Sequence, residues 1–537
     1  LSNTTGGYNT AVGQFALSAN TTASDNTAVG RYAMGSNTTG TRNEAFGNNA
    51  LYTNTTGGNN VASGRQALYS NTTGSYNIAV GGNSLYSNTT ASNNTAVGYQ
   101  AGYSNTTGAV LVAVGEKALH ANTTGSRNIA VGSGSLETNT TGQDNIGIGH
   151  DALNDVTTAS QNVAIGSYSG DTITTGTKNT LTGYLAGANI SDGIHNTLLG
   201  WSAGVNSDTN ELTAIGSNAV GLGFVTGTSN TFIGSHAGYD TTSGYQNSSL
   251  GQATLYENTT GYDNSAVGYQ ALRYNTGGYH NVALGKEALY YNTTGVENIA
   301  IGVQALYNVT TSSENIGIGR GAGKFTTGNR NTFIGDDAGE VITTGSSNVV
   351  IGRFTGNANG LDIRTSSNNI VLADGAGNPR LHFSNYGVGK IKTSIDQGLY
   401  IFTGDSSSTN GKVLDFHDGA GDQCGYVLIN ASNNTVSYQT SSDGNKKTNY
   451  RAIDNPTDRV KSLNPLKFDW ISDGSTSEGF IAQEVNTDTQ LGLDCVDGEE
   501  GSMTMDYSRV TPLLTAALKE AITKIEQLEA RIATLEG

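Results

Sequence analysis

Proline and cysteine are almost absent, with 4 and 2 in 537 residues. Cys424 and Cys495 make neither a disulfide framework nor a zinc-ligand spacing, and we expect no metal or cofactor. Charge is sparse too, at 13% of residues. No apolar run reaches the roughly 18 residues a bilayer span needs, so no membrane insertion is expected. Basic residues are outnumbered 27 to 44, a net charge of −17. A nucleic-acid partner is therefore excluded, because phosphate binding needs a basic footprint. The acidic balance instead suits a soluble, self-repelling extracellular particle. Glycine is plentiful at 74 residues, but the collagen G-X-Y period is missing. The first residue is Leu1 rather than Met, as expected of the C-terminal part of a longer protein.

A repeat takes the place of these features. NTAVG begins at Asn9 and Asn26, NEAFG at Asn43, NVASG at Asn60, NIAVG at Asn77 and NTAVG at Asn94. The closing glycines run from Gly13 to Gly352 in 21 rungs. The step is 17 except for 16 at Gly216 and Gly335 and 18 at Gly234. Leu111 and Leu212 replace the opening Asn. The consensus N-x-A-[VI]-G-x-x-A-L-x-x-N-T-T-G-x-x alternates β-branched pieces of four or five residues with turn chemistry. Strands so short at so strict a period predict stacked rungs of a parallel β-solenoid or β-roll over residues 1–356. At about 4.8 Å per rung the shaft reaches roughly 100 Å. Gly at the strand end admits positive φ, and the recurring Asn is expected to form an amide ladder. The N-T-T triplets match a glycosylation acceptor pattern, but one per rung reads better as a turn.

The second strand slot mixes Thr, Val and Ile with Glu44, the third is mostly Ala, Gly, Leu or Phe, and the fourth is nearly always Val, Ile or Leu. Neighbouring strand residues face opposite sides, so both sides of the strand are apolar. A lone solenoid needs only one buried side, so the second suggests contact with other chains. We expect a homotrimer with one roll per subunit. The strings also resemble the N/S-V-A-I-G repeats in the heads of trimeric autotransporter adhesins.

Tyr52, Tyr69, Tyr86 and Tyr103 share one register of the repeat, as do Tyr256, Tyr290 and Tyr307, with Arg273 interrupting. A stacked aromatic column is a candidate glycan-binding strip. The alternative is that the rings cap the rung edge or pack between subunits.

After Gly352 the repeat decays. Residues 357–440 carry IVLA, YIFTG, KVLDF, YVLIN and TVSYQ, which predict a β-rich stem. Proline, lysine and helix formers then appear together. SDGNKKTNYRAI starts at Ser442, LNPLKFDW at Leu463 and GFIAQEV at Gly479, and MDYSRVTPLLTAALKEAITKIEQLEARIATLEG runs from Met505 to the end. Leu514, Leu518, Ala521, Ile525, Leu528, Ile532 and Leu535 alternate steps of four and three. That heptad seam predicts a coiled-coil helix over 511–537.

In order and spacing these motifs resemble the peptidase S74 (endosialidase-type) intramolecular chaperone domain of phage tailspikes and tail fibres, over residues 441–537. The resemblance implies a mostly β protein with an α+β chaperone domain at its end. It also implies a Ser–Lys dyad for self-cleavage, here Ser442 and Lys447. A serine hydroxyl needs a base to become a nucleophile, and a lysine serves only when neutral. The expected function is a structural and adhesive virion fibre, extracellular, attached to other tail proteins and binding a host surface glycan or protein. A polysaccharide depolymerase and a bacterial surface adhesin are the alternatives; external catalysis needs two carboxylates about 5–10 Å apart, and the repeat acids are mostly single.

Overall fold

The computed structural model describes residues 2–221, 223–384, 389–391, 410–417, 423–430, 435–440, 451–469, 476–487, 496–497, 504–505 and 510–537. Two compact units are present, Leu1–Leu399 and Tyr400–Gly537.

The first unit is a parallel β-solenoid. Its rung strands run from β1 (Thr10–Val12) to β21 (Val349–Ile351). Each pairs in parallel with the equivalent strand of the next rung, Thr10 to Thr27 and Ala11 to Ala28. The 16- and 18-residue steps leave this register intact, Thr197 pairing with Thr213 and Thr213 with Thr231. Length changes are therefore absorbed in the turns. The ladder continues past Gly352. A two-stranded hairpin, β22 (Asn357–Ala358) and β23 (Leu361–Asp362), loops out. β24 (Ile370–Ala373) then pairs in parallel with β21, and β25 (Pro379–Phe383) and β26 (Gly389–Ile391) follow as antiparallel strands.

With the opening Asn as position 1, each strand covers only positions 2–4, shorter than the four or five expected. The chain bends sharply on both sides. The residue at position 17 is left-handed, as in Asp25 (φ 61) and Arg42 (φ 58), and so are most residues at positions 7 and 9, such as Tyr32 (φ 58) and Leu51 (φ 52). Most of these side chains are unbranched at Cβ, which limits the strain. Val110 (φ 60) and Val220 (φ 55) are the costly exceptions. Position 5 is glycine in all 21 rungs, with φ between 102° and 143°, a region closed to residues with a Cβ.

The core is one thin column. Position 3 (Ala28, Ala45, Ala62), position 8 (Ala33, Ala50) and position 9 (Met34, Leu51, Leu68) are fully buried. Phe232 and Phe333 fill position 3 where position 9 shrinks to glycine, at Gly238 and at Gly323 and Gly339. Position 4 points outward and stays open, as at Val80, Ile165 and Leu284. The strand is thus apolar on both sides, with only the alanine side covered within the chain.

The expected Asn ladder is present at position 1. Asn43 donates from Nδ2 to Asn26 Oδ1 (3.2 Å) and Gly57 O (2.9 Å), and its backbone N–H also donates to Asn26 Oδ1 (2.9 Å). A second ladder runs through the Asn of N-T-T. Asn54 Nδ2 donates to Asn37 Oδ1 (2.8 Å) and to the same Gly57 carbonyl (2.9 Å). These Asn side chains are fully buried, so a glycan has no access to them in the folded chain.

In the second unit three antiparallel strands, β27 (Asn410–His417), β28 (Gln423–Asn430) and β29 (Thr435–Thr440), form a sheet. YIFTG lies outside the described residues. Further on come α1 (Pro456–Lys461), the hairpin β30 (Leu466–Asp469) with β31 (Thr476–Gly479), α2 (Ala482–Thr487), the short pair β32 (Val496–Asp497) and β33 (Thr504–Met505), and α3 (Val510–Glu536).

Candidate functional site

The seven tyrosines occupy position 10 and are half-buried. Rung stacking sets one ring over the next. Tyr52 and Tyr69 stack at 5.4 Å, Tyr69 and Tyr86 at 5.1 Å, Tyr86 and Tyr103 at 5.1 Å, and His120 extends the stack at 5.2 Å. A second column holds Tyr239 on Tyr256 (5.0 Å) and Tyr290 on Tyr307 (5.1 Å). Arg273 bridges it, its guanidinium 4.7 Å from the Tyr256 ring centre, a cation–π contact. Position 16 forms a third stack of Tyr245, Tyr262 and Tyr279 at 4.8 and 4.6 Å. Sequence reading missed this one, though the 17-residue spacing of these tyrosines was there to find.

Because the rings cover one another, the columns present edges and hydroxyls to solvent. Flat faces for a sugar remain only at column ends. Burial, then the hydrogen bond that its hydroxyl donates to Tyr274, pushes the Tyr290 phenol up to about 12. Burial also lowers His120 below its usual range. Both groups are therefore neutral near pH 7, as face-to-face stacking prefers.

The second Asn ladder explains two orphaned acceptors. It breaks where Val156 follows Asn139 and where Val309 follows Asn292, and the Oδ1 atoms of Asn139 and Asn292 have no partner. Mid-ladder, Asn105 donates to Asn88 Oδ1 (2.9 Å) and accepts from Asn122 Nδ2 (2.8 Å). We expect Asn105→Leu to take one ladder bond from each neighbour, leaving Asn122 Nδ2 only Gly125 O (3.0 Å) and Asn88 Oδ1 only the longer bond from Asn94 (3.4 Å), and to weaken the local rungs by about 1–3 kcal/mol. Hydrogen exchange should rise in the rungs around Asn88–Asn122, and unchanged protection there would refute the ladder's contribution.

Ser442 and Lys447 lie outside the described residues, so the dyad has no geometry to give. The segments C-terminal to them pack together. Val485, Val510 and Leu513 form a small core, with Val460, Leu463 and Phe480 packed against it. LNPLKFDW and GFIAQEV thus meet the start of α3. Glu520 on α3 accepts from Thr457 Oγ1 (2.8 Å) and Lys524 Nζ (2.9 Å), pinning α1 to α3. Lys524 and then Thr457 hold its carboxyl at about 2. Beyond Ala517 the helix buries nothing. Leu518, Ile525, Leu528, Ile532 and Leu535 of the seam are 52–79% exposed, an apolar stripe with no cover among the described residues.

No curated protein and no solved structure matches the chain. Residues 442–488, which span SDGNKKTNYRAI, LNPLKFDW and GFIAQEV, match the peptidase S74 family, the chaperone of endosialidase.

Proposed function

We propose that this chain is a subunit of a homotrimeric fibre or tailspike, displayed extracellularly on a virion. Its C-terminal segment aligns three copies, drives their folding and is then released by self-cleavage. The observation that carries this reading is the S74 match at 442–488, placed C-terminal to a rod of near-identical rungs. Such a rod needs an external device to set register. The open seam of α3 supplies an apolar surface for other copies of itself.

In the cleavage step Lys447, as the neutral amine, takes the proton of the Ser442 hydroxyl. The oxygen attacks the carbonyl of Ser441, the C–N bond breaks, and the amide nitrogen of Ser442 takes the proton from the Lys447 ammonium and leaves as the amine. Water then hydrolyses the ester. The shaft, bound to other tail proteins, contacts a host surface glycan or protein, with Tyr52, Tyr69, Tyr86, Tyr103, Tyr256, Tyr290 and Tyr307 offering edges and hydroxyls.

Purified chain should separate on denaturing gels into fragments 1–441 and 442–537. Ser442→Ala or Lys447→Ala should leave one band while still assembling. Folded, assembled wild type that stays intact on long incubation would rule out the dyad.

A further inference from the structure

The outward side of the strand is apolar far beyond what a solitary rod requires. Across 22 strands from β1 to β24, position 4 is Val, Ile, Leu or Phe except at Ser63 and Thr182, and it is never charged. Position 2 is charged only at Glu44. More than half of the position-4 side chains are over a third exposed, among them Val12 (56%), Leu250 (51%) and Leu284 (47%). Together they leave on the order of 1,000 Å² of apolar stripe, above the few hundred Å² usual on a monomer and close to one partner's share of a stable interface. A sheet face in water normally alternates to polar residues. This one carries a single charge, Glu44, along the whole rod.

We propose that this face is where shafts of this chain pack on one another, parallel and in register about the fibre axis. The proposal rests on the homo-oligomeric fibre proposed above and names its surface. The occupant is a second copy because the partner must match both the rung period and the length of the stripe.

Charge complementarity points to the same arrangement. Two exposed columns flank the face, position 17 on one side and position 6 on the other. Any rotation about an axis along the rod sets position 17 of one copy against position 6 of the next at the same height. In register, Asp25 meets Arg31, Glu314 meets Arg320 and Arg330 meets Asp336. A slip of one rung one way sets Arg42 on Arg65, Glu314 on Asp336 and Arg330 on Arg353, three like-charge contacts against two opposite ones, Asp263 on Lys286 and Glu297 on Arg320. The opposite slip sets Arg42 on Arg31 and Arg330 on Arg320 against Arg127 on Glu116 and Glu297 on Lys286, so it loses the net attraction of the in-register pairing. Within one chain the same residues already alternate in sign up each column, Arg330 pairing with Glu314 (3.1 Å) and Arg320 with Asp336 (2.9 Å). Bringing two such columns together in register makes a checkerboard. Exposed pairs are individually weak, so the aliphatic face supplies affinity and the charges bias register.

Gln246 (position 17) and Gln252 (position 6 of the following rung) are the exposed residues on either side of one strand, Ser248–Leu250. The three strand residues between them, Ser248–Leu250, alone span about 10 Å, too far for a short bismaleimide to join the two flanking side chains within a chain. In full-length Gln246→Cys/Gln252→Cys, that reagent should give covalent oligomers, and each single variant should give none beyond the wild-type background from Cys424 and Cys495. Ile233→Lys/Leu250→Lys/Val267→Lys should abolish the cross-link while keeping the rung circular dichroism. Ser243→Lys/Thr260→Lys/Thr294→Lys, on the exposed position-14 column, should leave it intact. Light scattering separates the failures. An oligomer that does not cross-link overturns this interface alone, and a monomer overturns the oligomeric reading with it.

Discussion

A chain ended before Ser442 should give insoluble or mis-registered shaft instead of native fibres. Each rung repeats its neighbour's pairing, Ala28 on Ala45 and Ala45 on Ala62, so most rungs accept a shifted partner at little local cost. Non-local parallel pairing is also slow and exposes apolar surface while it proceeds. The position-4 column would be bare in every unassembled copy. The flanking charges bias register only after two shafts have met. An aligning domain at one end shortens that search, and residues 442–488 are the part of the chain with a chaperone match. Cleaved shaft, by contrast, should resist heat and detergent yet not return once unfolded, since its persistence would then be kinetic. Solubility, light scattering and a refolding trial of residues 1–441 check this. Efficient recovery of native oligomer from that fragment would falsify the account.

Gly115→Ala should disrupt the shaft severely, whereas Gly82→Ala should not. The two glycines sit at positions 5 and 6 of different rungs. Gly115 has φ +134, and a Cβ there would run into the carbonyl of Gly132 in the next rung. Neither the backbone nor the neighbouring rung can yield, because the same constraint recurs at Gly98 and Gly132. The strained φ and the backbone clash together cost at least about 3 kcal/mol. A Cβ on Gly82 meets only the Tyr99 ring, at 3.6 Å. Removing its chain entropy should be neutral or gain about 0.5 kcal/mol. Denaturant midpoints of the two variants measure the difference, and equal midpoints would remove the steric argument for glycine at position 5.

Several features were legible without coordinates because they depend on period alone. A 17-residue repeat with the same five-residue string in each unit can bury its apolar residues only by stacking, so the parallel solenoid and the position-1 Asn ladder followed from spacing. The S74-like segment was legible because its motifs keep their order and chemistry. The seam of α3 was legible because a step of three and four is a property of the helix itself.

The second Asn ladder was hidden because N-T-T is good turn chemistry wherever it occurs. Burial of Asn54 depends on how the rung closes. Tyrosines at one register were visible, but their stacked faces, and hence the edges they offer a ligand, depend on a rung spacing of about 5 Å and a shared rotamer. Ser442 and Lys447 rest on resemblance and lie outside the described residues.

The sequence by itself determined the repeat, its length, the stacking direction and the change of character near residue 441, since each is written in spacing and composition. Only the tertiary structure decided which side of the strand is core. Alanine and valine are both apolar, and three residues of strand give alternation no length in which to declare itself. The left-handed residue at position 17 and the glycine at position 5 turn the chain so that position 3 points in. That small residue fits the thin interior, and the larger position-4 side chain is left outside to find its cover elsewhere.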